Sequence, residues 1–321
     1  MSRLFRFGVQ SFNTTSGEDW AGQVRKAEDL GYSTFHLADH IIGDGPALTR
    51  ANHPVQDVAA IPAMAYAAAV SSTINIGCRV FCVDYHNPVV LIKSAMTIDM
   101  LSNGRLEFGL GAGWVKDEYA SIGLPMDEPR VRIDRLADVV EGVKAYQSDG
   151  PADLVNDTIQ WSEFNGVPKP AGTVPIMVGG GSPRVLRLAG RVADIVSLNF
   201  NNRSGQIGAD GVGLSTAEET DKKIGWIREG AGDRFDDLEI EIGAYFTFVM
   251  DDPAPVVQQF SGVFGLSEQE MIKHPHGLFG SVDAIVDELE RRRAAHGISY
   301  ITIGAQNMEA FAPVVARLNG R

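Results

Sequence analysis

Short apolar runs alternate with amphipathic stretches of helical period from one end of the chain to the other. Phe5–Gln10 predicts a first strand, followed by a helix through Trp20, Val24, Ala27 and Leu30 that Gly31 closes. Thr34–Ala38, Ile74–Val83 and Leu106–Leu110 predict the next three strands, with helices over Val58–Val70 and Val89–Leu101 between them and a helix over Arg130–Tyr146 after the fourth. Val174–Val178, Asp194–Leu198, Ile240–Met250 and Tyr300–Ile303 predict strands five to eight. Their helices are Arg184–Ala189, Ala217–Glu229, a Ser281-capped helix to Ala295, and Ala310–Leu318. The alternation predicts an α/β fold, a (β/α)8 TIM barrel built as a single domain over residues 1–321. Three polar, Gly-rich or Pro-rich segments read as insertions after strands 4, 6 and 7: Ser148–Thr173, with a hairpin-like piece around Ile159–Trp161, Asn199–Ser215 and Asp251–Phe279. A doubly wound sheet is the alternative.

In a barrel the loops after the strands gather on one face, and that face carries the chemistry. The strand ends hold Gln10, Asp39, His40, the stretch Cys78–Asp84, Gly111–Trp114, Gly179–Ser182, Asn199 and Gly304. Two strand ends are glycine-rich, Gly109-Leu110-Gly111-Ala112-Gly113 and Gly179-Gly180-Gly181-Ser182-Pro183. Bare backbone at a helix start can cradle a phosphate; glycines also simply permit tight β-to-α turns. In the second turn Pro183 suits a first helical position, Ser182 suits the cap, and Arg184 offers a cation to a phosphate. Neither turn completes a dinucleotide fingerprint.

Asp39-His40 is the best acid–base pair, since a carboxylate can fix a histidine tautomer, although adjacent residues on an extended chain point apart. Arg79 stands inside an apolar run. It reads either as a salt-bridged core residue or as the mark of a bulge that re-aims side chains. His53, His86, His274 and His276 make a metal site only if loops bring them together, and no metal is expected.

Hydrophobic residues at 44% and charged residues at 21% describe an ordinary globular chain. A net charge of -13 argues against nucleic acid as a partner but leaves room for a small anion. Cys78 and Cys82 exclude a disulfide scaffold, and alternation along a strand lets both sulfurs share a face. The N-terminus Met1–Phe7 does not read as a signal peptide and no apolar stretch is long enough for a membrane span, so a cytoplasmic enzyme is expected, and the sequon at Asn156 reads as chance.

The strand-end residues resemble the bacterial luciferase-like monooxygenase family. The likeness is carried by Phe7-Gly8-Val9-Gln10, Ala27–Tyr32, Ala38-Asp39-His40, Asn75–Pro88, Ala95–Gly113 and Pro175–Gly180, in order over the whole chain. Arg6–Gln10, Gly232–Glu239 and Ala312–Leu318 are most similar to its coenzyme F420-dependent branch. The resemblance implies a barrel with insertions, a homodimer, and a flavin-type ring at the strand ends. It implies a bulge at Cys78-Arg79-Val80 with a non-prolyl cis bond at Arg79–Val80 behind that ring. It further implies a phosphate turn at Gly179, Gly180, Gly181 and Ser182, ring or phosphate contacts from Gln10, Gly111 and Gly113, and Asp39 and His40 at the reactive edge. Two positions depart from the pattern: Asn87 replaces a usual histidine, with His86 beside it, and Trp114 replaces the glutamate of the glucose-6-phosphate dehydrogenase members. The expected reaction is hydride transfer between F420 and a small-molecule substrate. The alternatives are an FMN-dependent monooxygenase with a flavin reductase as partner, a non-catalytic flavin-binding barrel, and a metal-dependent barrel hydrolase.

Overall fold

Eight parallel strands close on one another in the computed structural model, which describes residues 3–321. Met1 and Ser2, part of the N-terminal segment weighed above as a leader, lie outside the described residues. In chain order the strands are β1 (Arg6–Gln10), β2 (Thr34–Leu37), β3 (Asn75–Cys82), β4 (Leu106–Gly111), β5 (Ile176–Gly180), β6 (Ile195–Leu198), β7 (Glu239–Ala244) and β8 (Ile298–Gly304). Each pairs with its sequence neighbours, and β8 returns to β1 with Arg6 opposite Tyr300 and Gln10 opposite Gly304. Closure makes this the (β/α)8 barrel and removes the doubly wound sheet.

The period of two gives every strand one face to the helices and one to the barrel axis. Phe7, Val9, Phe35, Leu37, Ile76, Phe108, Leu110, Val178, Val196, Ile240, Ile242 and Ile301 face outward into one continuous core with Trp20, Met64, Leu136 and Phe311 from the helices. The axial face carries a charged and polar layer beside a small apolar cluster of Met177, Ile195 and Tyr300 packed against Val80. Arg6 forks onto Glu239, with Nε to Oε1 at 2.7 Å and a terminal nitrogen to Oε2 at 2.5 Å, and also pairs with Glu107. Glu107 accepts from Thr34 Oγ1 at 2.8 Å and from the Tyr300 hydroxyl at 3.0 Å. Burial opposes ionisation of Glu107, but Arg6 outweighs it and holds the carboxyl below the usual range. His36 Nε2 reaches the Tyr300 hydroxyl at 2.6 Å, and burial pushes its pKa down to about 4, so it stays neutral.

On β3 the register shifts between Cys78 and Phe81, and the Arg79–Val80 bond is cis, as the family resemblance implies. The bulge turns two consecutive side chains, Arg79 and Val80, toward the axis. Val80 fills the room left by absent side chains on β4 and β5: a Cβ on Gly109 or Gly179 would stand 3.1 or 3.0 Å from Val80 Cγ1.

Three features depart from the sequence reading. Ile240–Met250 is not one strand. The chain leaves the barrel at Tyr245, whose hydroxyl turns in toward Arg79, and Phe246–Val249 pairs in parallel with Gly277–Gly280 outside the barrel. Helices at Pro46–Ala51, Lys116–Ser121 and Ala209–Gly213 were not expected, because two turns or fewer show no periodicity, and neither was the three-turn helix Ala254–Phe264 inside the segment read as the third insertion. The glycines Gly179 and Gly180 belong to β5 itself, so the turn starts at Gly181.

Candidate active site

A cleft of about 1470 Å³ opens at the C-terminal ends of the strands. Its walls include Gln10, Asp39, His40, Arg79, Val80, Gly111, Gly113, Gly179, Gly180, Gly181 and Ser182. Cys78 is the exception among the expected residues. It lies fully buried in the outer core, because it precedes the bulge and keeps the outward phase of β3. Cys82 follows the bulge, takes the inward phase and lines the cleft, with Sγ 3.3 Å from the Tyr119 hydroxyl. The two sulfurs therefore do not share a face.

Asp39 and His40 do not touch each other's charge; each has another partner. Asp39 Oδ2 accepts from the Cys82 amide at 3.0 Å and meets His86 Nε2 at 2.7 Å, tying β2 to the loop after β3. His40 Nδ1 lies 2.8 Å from Glu118 Oε2, so the tautomer-fixing carboxylate is Glu118 and not Asp39. Glu118 is fully buried on the short helix after the first glycine turn. It also accepts from the Ile41 amide at 2.6 Å and the Tyr85 hydroxyl at 2.9 Å. Burial works against its charge, yet the bonds from His40, Ile41 and Tyr85 prevail and hold the carboxyl below the usual range. An ionised Glu118 keeps a proton on His40 Nδ1 and leaves Nε2 free to exchange one in the cleft. The His53 ring stands 4.0 Å from that of His40, and Trp114 stands 6.0 Å from it. Burial, with His40 adding to it, pushes the His53 pKa down to about 3.

Arg79 proves to be both things its sequence position allowed, a bulge residue and a salt-bridged one. Its Nε lies 2.9 Å from both oxygens of the fully buried Glu241. The remaining nitrogens reach Gln10 Oε1 at 3.3 Å, the Tyr245 hydroxyl at 3.0 Å and Asn199 Oδ1 at 3.1 Å. Gln10 answers with Nε2 to the Arg79 carbonyl at 3.2 Å. Every branch of the guanidinium is thus engaged, and it serves as a rigid floor.

The second glycine turn is tight for packing reasons. A Cβ on Gly180 would strike Val185, and one on Gly181 would strike the carbonyls of Asn199 and Phe200. Pro183 opens a helix to Val192, but Ser182, at the cap, makes no capping bond, so its hydroxyl is available to the cleft. Arg184 does not supply the expected cation; it pairs with Asp134 at 2.5 Å. Arg132 stands nearby instead, bonded to the carbonyls of Ala112 at 2.8 Å and Gly113 at 2.5 Å. On the opposite wall Thr302 Oγ1 is buried without a partner.

The other histidines disperse. His86 meets Asp39, while His274 and His276 meet the carbonyls of Val212 and Gly243 at 3.0 and 2.8 Å. Among the described residues no three histidine, cysteine or carboxylate side chains converge on a metal position, and no helix is long and apolar enough to cross a membrane. Asn87 caps the helix Pro88–Ser102 through bonds from the amides of Val89 and Val90. Lys223 escaped the sequence reading. It is buried with Nζ 2.8 Å from the Asn199 carbonyl and 2.7 Å from Ser215 Oγ, and burial pushes its pKa down to about 7.

A family model described as luciferase-like monooxygenase matches residues 3–297. An uncharacterised protein of Mycobacterium tuberculosis is 29% identical over 202 residues, which cover 59% of this chain and 70% of that one. An F420-dependent glucose-6-phosphate dehydrogenase of Kribbella flavida is 26% identical over 302 residues, covering 90% and 82%. Two solved structures share the fold. One is an F420-dependent secondary alcohol dehydrogenase in complex with an F420-acetone adduct (TM-score 0.75, 17% identity, covering 99% of this chain and 100% of that one). The other is a long-chain alkane monooxygenase (TM-score 0.76, 15% identity, 99% and 92%). Barrel, bulge and family match together establish that this chain belongs to the luciferase-like monooxygenase family of oxidoreductases.

Proposed function

We propose that this chain is a coenzyme F420-dependent oxidoreductase that exchanges a hydride with a small organic substrate. The observation that carries the reading is the His40–Glu118 pair opening onto the same cleft as the Ser182 turn and the Arg79–Val80 bulge. The residues present fit a phosphorylated deazaflavin. Val80 offers an apolar wall to a flat ring, and Thr302 Oγ1 an unspent polar atom. Ser182 Oγ and the amino end of the helix it precedes suit a phosphate. A bound deazaflavin supplies hydride acceptance or donation at its C5.

The chain's own residues handle the proton. Glu118 fixes the His40 tautomer, and His40 Nε2 takes a proton from a substrate hydroxyl as its carbon gives up hydride, or returns one to a carbonyl in the reverse direction. The saturated Arg79 holds the floor in place. The F420-dependent relatives support the cofactor, and the enzyme is proposed to act in the cytoplasm as a homodimer. A second reading, FMN with oxygen and a reductase partner, draws on an FMNH(2)-dependent dimethylsulfone monooxygenase of Pseudomonas fluorescens, 29% identical over 118 residues. The test is loss of oxidised F420 absorbance on mixing with secondary alcohols. His40→Ala should cut turnover by about 10²–10⁴-fold and leave F420 binding intact; full activity in that variant would remove His40 from the reaction.

A further inference from the structure

We propose that the second reactant is a neutral, apolar molecule, an aromatic or alkyl ketone or its alcohol, held in an arm of the cleft walled by Phe246, Phe260, Val263 and Phe264. This rests on the reading above of one cleft for cofactor and substrate. Room is the first argument. Ligand pockets usually measure about 300–1,000 Å³, so a cleft of about 1470 Å³ accommodates two molecules.

Chemistry is the second. Every cleft-lining residue contributed by the segment from Tyr245 to Gly280 is apolar or aromatic. The arm is also fixed in shape. Val257, on the helix Ala254–Phe264, is buried in a satellite core with Met271 and Phe279. Phe260 and Phe264 are braced against Phe246 with ring centroids 5.1 and 5.2 Å away. Val263, on the same helix, remains 63% exposed while lining the cleft. Apolar surface left exposed on a firmly packed helix gains free energy when a ligand covers it.

Charge is the third argument. A phosphorylated substrate in this arm needs a cation to offset its desolvation. Arg79 is fully engaged by Glu241, Gln10, Tyr245 and Asn199. Arg132 is spent on backbone carbonyls. Lys116 and Arg203 also line the cleft, from the loops after β4 and β6 and not from the segment that walls the arm. At the reacting end, Phe12, His53 and Trp114 add aromatic walls beside His40.

The test uses the full chain without cofactor and a neutral aromatic ketone as probe, the polarity-sensitive dye 6-propionyl-2-dimethylaminonaphthalene. The expected result is saturable binding with blue-shifted emission, displaced by acetophenone and not by glucose 6-phosphate. Val263→Asp should weaken it about tenfold or more by placing an unpaired charge in the arm, and Val263→Trp should block it. Both variants should still bind F420 as the wild type does. Probe affinity unchanged in both variants, or displacement by glucose 6-phosphate, overturns the proposal. Probe behaviour as expected in a protein that binds no F420 supports the apolar arm and sinks the cofactor reading alone.

Discussion

Residue by residue, the proposed chemistry turns on which carboxylate holds His40. Glu118 lies 78 positions along the chain from it, on a six-residue helix, so no local pattern could join the two. Asp39, the sequence neighbour, points elsewhere for the reason extended chains always impose. Glu118→Gln should keep the shape but support the wrong tautomer, cutting turnover about a hundredfold or more while F420 affinity holds. Steady-state rates beside a binding titration decide it, and a variant as fast as wild type removes the pair from the mechanism. Lys223 makes a separate prediction. Its folded pKa is depressed to about 7 by burial, whereas the unfolded side chain titrates near 10.5. Between those values the unfolded chain binds more protons, so this residue's penalty is complete below about pH 7 and is relieved as pH rises toward 10.5. The stability of the wild type relative to Lys223→Met should therefore rise across that window in urea melts. A flat difference would mean the lysine is not held as the structure shows.

At the scale of elements, β3 and its glycine-bearing neighbours act as one unit. The bulge was legible in the sequence because an arginine interrupts an apolar run; its partner Glu241 was not, since alternation alone cannot say which carboxylate crosses the barrel. Replacing Glu241 with Gln strands a buried guanidinium and should cost about 3–5 kcal/mol in chemical denaturation. The β5 turn teaches the opposite lesson. Its three glycines suggested a phosphate cradle, yet Val80, Val185 and the Asn199–Phe200 backbone each claim the space where a Cβ would stand. Gly181→Ala should lose about 1–3 kcal/mol through that backbone collision, where a glycine kept only for a ligand would lose affinity and no stability. The split of the predicted seventh strand belongs here too: a largely apolar run, broken only at Glu241 and Thr247, hid the point at which Tyr245 turns inward and the chain leaves the barrel.

For the whole molecule, the period-two and helical patterns were enough to read eight strand–helix units, because barrel strands buried on both sides are dense in apolar residues. The charged axial layer of Arg6, Glu107 and Glu239 was not legible, since each of these residues looks like an ordinary strand-edge charge until the barrel closes around it. The proposed function rests on the identity of the ring that would lie against Val80. The most direct measurement is a paired fluorescence titration of the apoprotein with oxidised F420 and with FMN. The account predicts tighter, saturable binding of F420; preferential binding of FMN would contradict it and move the chain to the oxygen-using side of its family.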